Sequence, residues 1–165
     1  ITLFLERTDL RRSVVAEICV LVNNGYFKAV QVPITIRYSH MELVVIDICN
    51  STNKFRIFVC YMPPSCEYDV DALRFSIEMR DCIELLYPSN ATVLLCGDFN
   101  FPNVNWSNIY VSSITKSTCS GIFVNLFTKL AFQQFVSEPT RFSAISRSGS
   151  ILDLVLCNDA NFRST

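Results

Sequence analysis

Four residues stand where a side chain could carry chemistry. Asp98 closes the apolar run of "LLCGDFNFPNVNW" (94 to 106), and Asn100 follows two positions on. A carboxylate at the end of a buried strand can project into a cleft while the run behind it anchors the backbone. The asparagine amide can donate a hydrogen bond into the same space. Gly, Asp and Asn also favour turns, so composition alone leaves a plain turn open. In "SILDLVLC" the leucines 152, 154 and 156 share one face of a strand, which sets Asp153 on the other with Ile151 and Val155. A carboxylate there needs a partner if it is buried. A structural hydrogen bond or a solvent-facing edge would serve it equally. Tyr61 ends "FRIFVCYMPPS", where the prolines stop a strand and leave the phenol near the mouth of the sheet, or at the edge of the core.

Strands and helices must deliver these side chains. From Val14 to Met62 the chain reads as four strands. "KAVQVPITI" alternates, with Val30, Val32, Ile34 and Ile36 on one face, while "ELVVIDIC" and "KFRIFVCYM" are apolar on both faces, as in a sheet covered on two sides. After "PPS", the stripe Ala72, Phe75, Met79, Cys82, Ile83, Leu86 predicts an amphipathic helix ending near Pro88. "TVLLCG" returns to strand and sets "GDFN" at its C-terminal mouth. Phe123, Leu126, Phe127 and Leu130 predict a second helix, and "QQFVS" and "ILDLVLC" are the last strand candidates.

At 165 residues the chain has room for one domain with a real core. Half of it is apolar and its formal net charge is −1, which excludes disorder and a grossly basic nucleic-acid arm, so an anionic partner must meet a local patch. No apolar stretch approaches the roughly 20 residues of a membrane span. Of eight cysteines, Cys19, Cys49, Cys60, Cys96 and Cys157 fall in strand-like runs, and no CxxC pair exists for zinc; they read as reduced core residues of an intracellular protein, cytoplasmic or nuclear. The sequons at Asn50, Asn90 and Asn105 are three-residue patterns that recur by chance. Beginning at Ile1 and stopping in "NDANFRST", the chain is expected to be a single partial domain, residues 1–165, of something longer.

"CYMPPS", "LLCGDFN" and "SILDLVL", in that order, resemble the endonuclease/exonuclease/phosphatase superfamily. "GDFNFPNVNW", "QQFVSEPTR" and "ILDLVL" narrow the resemblance to the endonuclease domain of LINE-type (non-LTR) retrotransposons. It extends over nearly the whole chain. It implies an α/β fold, a four-layer α/β/β/α sandwich here truncated, that cleaves DNA phosphodiesters with Mg2+ or Mn2+, with a reverse transcriptase downstream. By the same resemblance Asp98 orients or deprotonates the attacking water, Asn100 and Tyr61 meet the scissile phosphate, and Asp153 stands behind the catalytic histidine. Asp98 and Asn100 would form part of a metal site. Arg141 and Arg147, flanking "FSAIS", are candidate DNA-phosphate contacts or ordinary solvated charges.

The departures are specific. The family's early asparagine and metal-binding glutamate would lie upstream of Ile1, and its terminal Asp-His beyond Thr165. His40, the sole histidine, precedes a central strand where the family has no catalytic one. Met62 stands where these elements often show arginine, and "SVVAEICVLV" lacks the usual glycines. Half a site is therefore expected, with no useful cleavage by this chain alone. Two readings stay open beside the nicking endonuclease. One is a decayed, non-catalytic transposon remnant, and the other is a superfamily phosphatase or phosphodiesterase acting on a phospholipid headgroup.

Overall fold

The computed structural model describes residues 2–8, 15–21, 25, 27–34, 42–62, 70–102, 104–106, 118–142 and 149–162. Six strands form the main sheet: β3 (Lys28–Gln31), β4 (Glu42–Cys49), β5 (Lys54–Tyr61), β6 (Thr92–Asp98), β7 (Gln133–Gln134) and β10 (Asp153–Cys157), in the order β3-β4-β5-β6-β10-β7. Among the described strands only β5 and β6 run parallel, and the crossover between them carries the helix α1 (Val70–Leu86). Two ribbons complete the strands among the described residues. One pairs β1 (Thr2–Thr8) with β2 (Val15–Leu21), which lies against β4 and β5; the other pairs β8 (Arg141–Phe142) with β9 (Gly149–Ser150).

The apolar runs on both faces of β4, β5 and β6 have the consequence expected of them. One face carries Val45, Phe58, Cys60, Val93 and Leu95 into a cluster with Met79 and Ile83 of α1 and with Phe123, Leu126 and Phe127 of α2 (Cys119–Lys129). The other face carries Ile46, Ile48, Ile57, Val59, Leu94, Cys96 and Cys157. Among the described residues, the helix layer, the large sheet and the β1–β2 ribbon represent the expected sandwich, and no helix is long and apolar enough to cross a membrane.

Both helices end as their sequences direct. Thr118 caps α2, its hydroxyl accepting from the Gly121 N–H at 3.1 Å. The last turn of α1 has no basic residue of its own, so Arg56 reaches over from β5 to donate to the Leu86 carbonyl at 2.6 Å while gripping both oxygens of Asp47 at 2.7 Å.

Two expectations need correction. "KAVQVPITI" pairs as a strand only over Lys28–Gln31, and Val30 is 63% exposed while Val32 and Ile34 pack at the helix-side core. Pro33 has no N–H to continue the pairing of this edge strand; Ile36 lies outside the described residues. "QQFVS" gives only the two-residue β7, extended by the Phe135 N–H to the Val155 carbonyl at 2.9 Å. β1 lacked a sequence signal, since Leu3, Phe4 and Leu5 do not alternate.

Candidate active site

The candidate residues come to one end of the main sheet. Tyr61 is the last residue of β5 and stands opposite Asp98, the last of β6; Asp98 in turn stands opposite Asp153, the first of β10. Residues paired in register present their side chains on one face, so phenol and carboxylates form a row. The alternation along each strand says which face. Ile57 and Val59, Leu94 and Cys96, and Val155 and Cys157 all belong to the face away from the helices. Tyr61 is 4% exposed, Asp98 half-buried and Asp153 exposed, so the row runs from the core to solvent.

Asn100 is locked beside this row. Phe99 and Phe101, fully buried on either side of it, pack into the helix-side core, with Phe99 edge-on to Phe123 and Phe127 at centroid distances of 5.7 and 6.0 Å. Between these anchors Asn100 takes φ 48, a left-handed conformation that asparagine tolerates. Its N–H donates to Asp98 Oδ1 at 3.1 Å, and its Nδ2 donates to the Met62 carbonyl at 2.6 Å. One amide proton is thereby committed to the fold.

Two residues that sequence reasoning passed over hold this end together. Gly97 has φ +147, and a Cβ there would lie 1.8 Å from the Cys60 carbonyl oxygen, so only glycine lets β6 approach β5 just before Asp98. Thr140, in "SEPTR", accepts from the N–H groups of Leu152 and Asp153 at 3.0 and 3.1 Å, which sets the start of β10. The "GD" pair was the available signal for the first. The second had none beyond the motif, since the contact spans 12 to 13 residues of chain.

Arg141 is exposed on β8, one residue from Thr140 and so close to Asp153, while Arg147 and His40 lie outside the described residues. Met62 is fully buried among the helix-side residues, on the opposite face from the row. An arginine in its place would have to leave the core, so the Met62 departure bears on packing rather than on a phosphate contact. Asp98, Asp153 and the Asn100 amide are oxygen donors of the type hard cations take. Among the described residues, however, no three acidic, histidine or cysteine side chains converge on a point that could hold a metal ion. Asp98 and Asn100 would thus supply only part of the oxygen shell that a magnesium ion takes.

Residues 55–165 match the family model described as endonuclease-reverse transcriptase, a span that includes the whole row. The chain belongs to the endonuclease-reverse transcriptase family. Its fold is that of the endonuclease/exonuclease/phosphatase superfamily. The endonuclease domain of TRAS1, a telomere-specific non-LTR retrotransposon, superposes with a TM-score of 0.57 at 16% identity, covering 96% of this chain and 65% of that one. The catalytic domain of human Nocturnin gives a TM-score of 0.49 at 14% identity, over 95% and 59% of the two chains. This member of the endonuclease-reverse transcriptase family thus spans somewhat under two thirds of those domains. No curated protein matches it in sequence.

Proposed function

We propose that this domain belongs to a retrotransposon-type protein and cleaves phosphodiester bonds of DNA. The observation that carries the reading is the row Tyr61, Asp98, Asp153 with Asn100 fixed at its end. Phosphoryl transfer asks for an aligned nucleophile and for donors on the phosphate oxygens. Asp98 orients a water and takes its proton as the water oxygen bonds to phosphorus and the bond to the leaving oxygen breaks. The second Asn100 amide proton and the Tyr61 phenol donate to the phosphate oxygens, where charge accumulates. Asp153, opposite Asp98 in register, stands behind the histidine that the family supplies, and Arg141 contacts a flanking phosphate.

The superfamily generally works with a divalent metal, and Mg2+ or Mn2+ is the expected cofactor of the complete site. A reverse transcriptase domain is the expected partner in the same polypeptide. An intracellular setting, cytoplasmic or nuclear, belongs to the same reading and rests on the buried strand positions of Cys60, Cys96 and Cys157. The chain by itself is expected to nick poorly, because magnesium demands near-octahedral oxygen coordination that Asp98 and Asn100 cannot complete.

Plasmid nicking in magnesium tests this, run on the longest native polypeptide carrying these residues, on its Asp98→Ala variant, and on the bare chain. Relaxed circles from the first, about a hundredfold fewer with Asp98→Ala, are expected. Nicking that survives Asp98→Ala, or none from the long polypeptide, overturns the reading.

A further inference from the structure

Among the described residues five large apolar side chains are exposed, and three of them, Val70, Leu73 and Leu85, stand on α1. The buried side of this helix, with Met79, Cys82 and Ile83, is committed to the fold's interior. At about 3.6 residues per turn, Val70, Leu73, Arg74, Ile77, Asp81 and Leu85 fall on the opposite side. They make one outward stripe, about 25 Å long for a helix of 17 residues.

Single apolar side chains on a surface are ordinary, so the order along the stripe must decide what it is for. Apolar residues hold both ends and charges the middle. Arg74 is exposed and makes no ion pair among the described residues, while Asp81, also exposed, binds its neighbour Arg80 through Oδ1 alone, at 2.9 and 2.7 Å. The midpoint between Val70 and Leu85 falls between Ile77 and Glu78, and the midpoint between Arg74 and Asp81 is the same. A two-fold axis through that point lays a second copy of α1 antiparallel to the first. Each Val70 then meets Leu85 of the other copy, and each Arg74 meets its Asp81. A parallel pairing would set Arg74 against Arg74 and Asp81 against Asp81. Glu84, beside the stripe, is bound to Lys129 of its own copy at 2.6 Å and enters as a neutral pair.

We propose that the outer face of α1 is a self-association surface, on which two copies of this chain pair antiparallel about a two-fold axis. Apolar contact at the two ends supplies the attraction, and the Arg74–Asp81 pairs fix direction and register. The row Tyr61, Asp98, Asp153 lies on the sheet face away from the helices, so the pairing leaves it open and does not rest on the nuclease reading. One helix face from each copy buries less than the roughly 1,200 Å2 at which stable interfaces begin. The dimer is therefore reversible, with a Kd on the order of 10–100 μM.

Sedimentation equilibrium tests it, on the longest native polypeptide carrying these residues. Wild type should show a concentration-dependent balance of monomer and dimer. Arg74→Glu and Asp81→Lys should each weaken the dimer about tenfold, since either change turns two attractive pairs into repulsive ones. Leu85→Ser, which leaves the charges alone, should weaken it comparably. The decisive sample is an equimolar mixture of Arg74→Glu and Asp81→Lys. In the mixed dimer both pairs again join opposite charges, so association should return close to the wild-type level, which a variant that had merely failed to fold could not do. Monomer alone up to about 500 μM, a dimer indifferent to these substitutions, or a mixture that associates no better than its components overturns the proposal.

Discussion

Asp98 and Asp153 face each other directly across the β6–β10 pair, one carboxylate at the last position of its strand and the other at the first. Like charges set opposite one another in a sheet are destabilising, and a fold that keeps them does so against its own stability. Asp153→Asn relieves the repulsion without changing the shape. It is expected to raise unfolding stability by about 0.2–1 kcal/mol in urea denaturation while lowering any nicking activity, the trade expected at a functional site. A clear loss of stability would mean that Asp153 serves the fold.

Gly97 predicts a larger effect in the opposite direction. Its φ of +147 and the 1.8 Å approach of a built Cβ to the Cys60 carbonyl leave no room for alanine without moving β5 from β6. Gly97→Ala should cost about 2–4 kcal/mol, seen as a Tm lowered by roughly 5–15 °C. An unchanged Tm would show that the two strands can part there.

The buried thiols give a chemical check on the sheet. Burial pushes the Cys60 thiol well up and the Cys96 thiol to about 12, whereas Cys49 is only half-buried. Thiolate is the reactive form, so at pH 8 Cys96 in the folded chain should alkylate on the order of a thousandfold more slowly than an ordinary thiol near pKa 8.5. All eight cysteines should react once the chain is unfolded without reductant. Peptide mapping after timed iodoacetamide treatment reads both; rapid labelling of Cys96 in the native chain, or several thiols blocked as disulfides, contradicts them.

How much of this was legible in the sequence depends on what each residue answers to. The apolar runs of β4, β5 and β6 and the stripe Met79, Cys82, Ile83 follow local periods of two and 3.6, and the structure has them where the periods set them. Asp98, Asp153 and Tyr61 could be singled out because each interrupts or ends such a run. Thr140 could not, since its hydroxyl meets Leu152 and Asp153 across 12 to 13 residues of chain. Met62 misled in the other direction: beside Tyr61 in sequence, it points to the opposite face of the sheet. The two-residue strands of the β8–β9 ribbon are too short for any period to announce.

The Arg56–Asp47 pair predicts how acid weakens the fold. Hydrogen bonding from Arg56 holds the Asp47 carboxyl below its ordinary value, against the opposing effect of partial burial. A carboxylate whose folded pKa is depressed stabilises the native state fully above the unfolded value of about 3.9, and that contribution is lost as pH falls through the folded value. Wild type should thus lose stability below about pH 4 more steeply than Asp47→Asn. At pH 7 Asp47→Asn should be weaker by about 1.5–3 kcal/mol, the range for hydrogen bonds to charged groups. Parallel pH profiles from the two proteins would show that the pair does not couple to folding.

Thr140 offers the sharpest test of how the site is held. Its hydroxyl oxygen accepts from two consecutive N–H groups, those of Leu152 and Asp153, while its own N–H donates to the Ser150 carbonyl at 3.0 Å. Leu152 is buried and the Asp153 side chain exposed, so the hydroxyl sets the point where the chain passes from core to site. Thr140→Val preserves the shape and removes the acceptor, leaving two donors without their partner. A net hydrogen bond contributes about 0.5–1.5 kcal/mol, so a loss of about 1–3 kcal/mol follows from two. Thr140→Ser keeps the hydroxyl and should fall within roughly 0.5 kcal/mol of wild type. Hydrogen exchange locates the effect: the amides of Leu152 and Asp153 should lose protection in Thr140→Val, while those of β4 and β5 keep theirs. If the valine variant matches the serine variant in both stability and exchange, then the hydroxyl is incidental and the start of β10 is set by Leu152 packing instead.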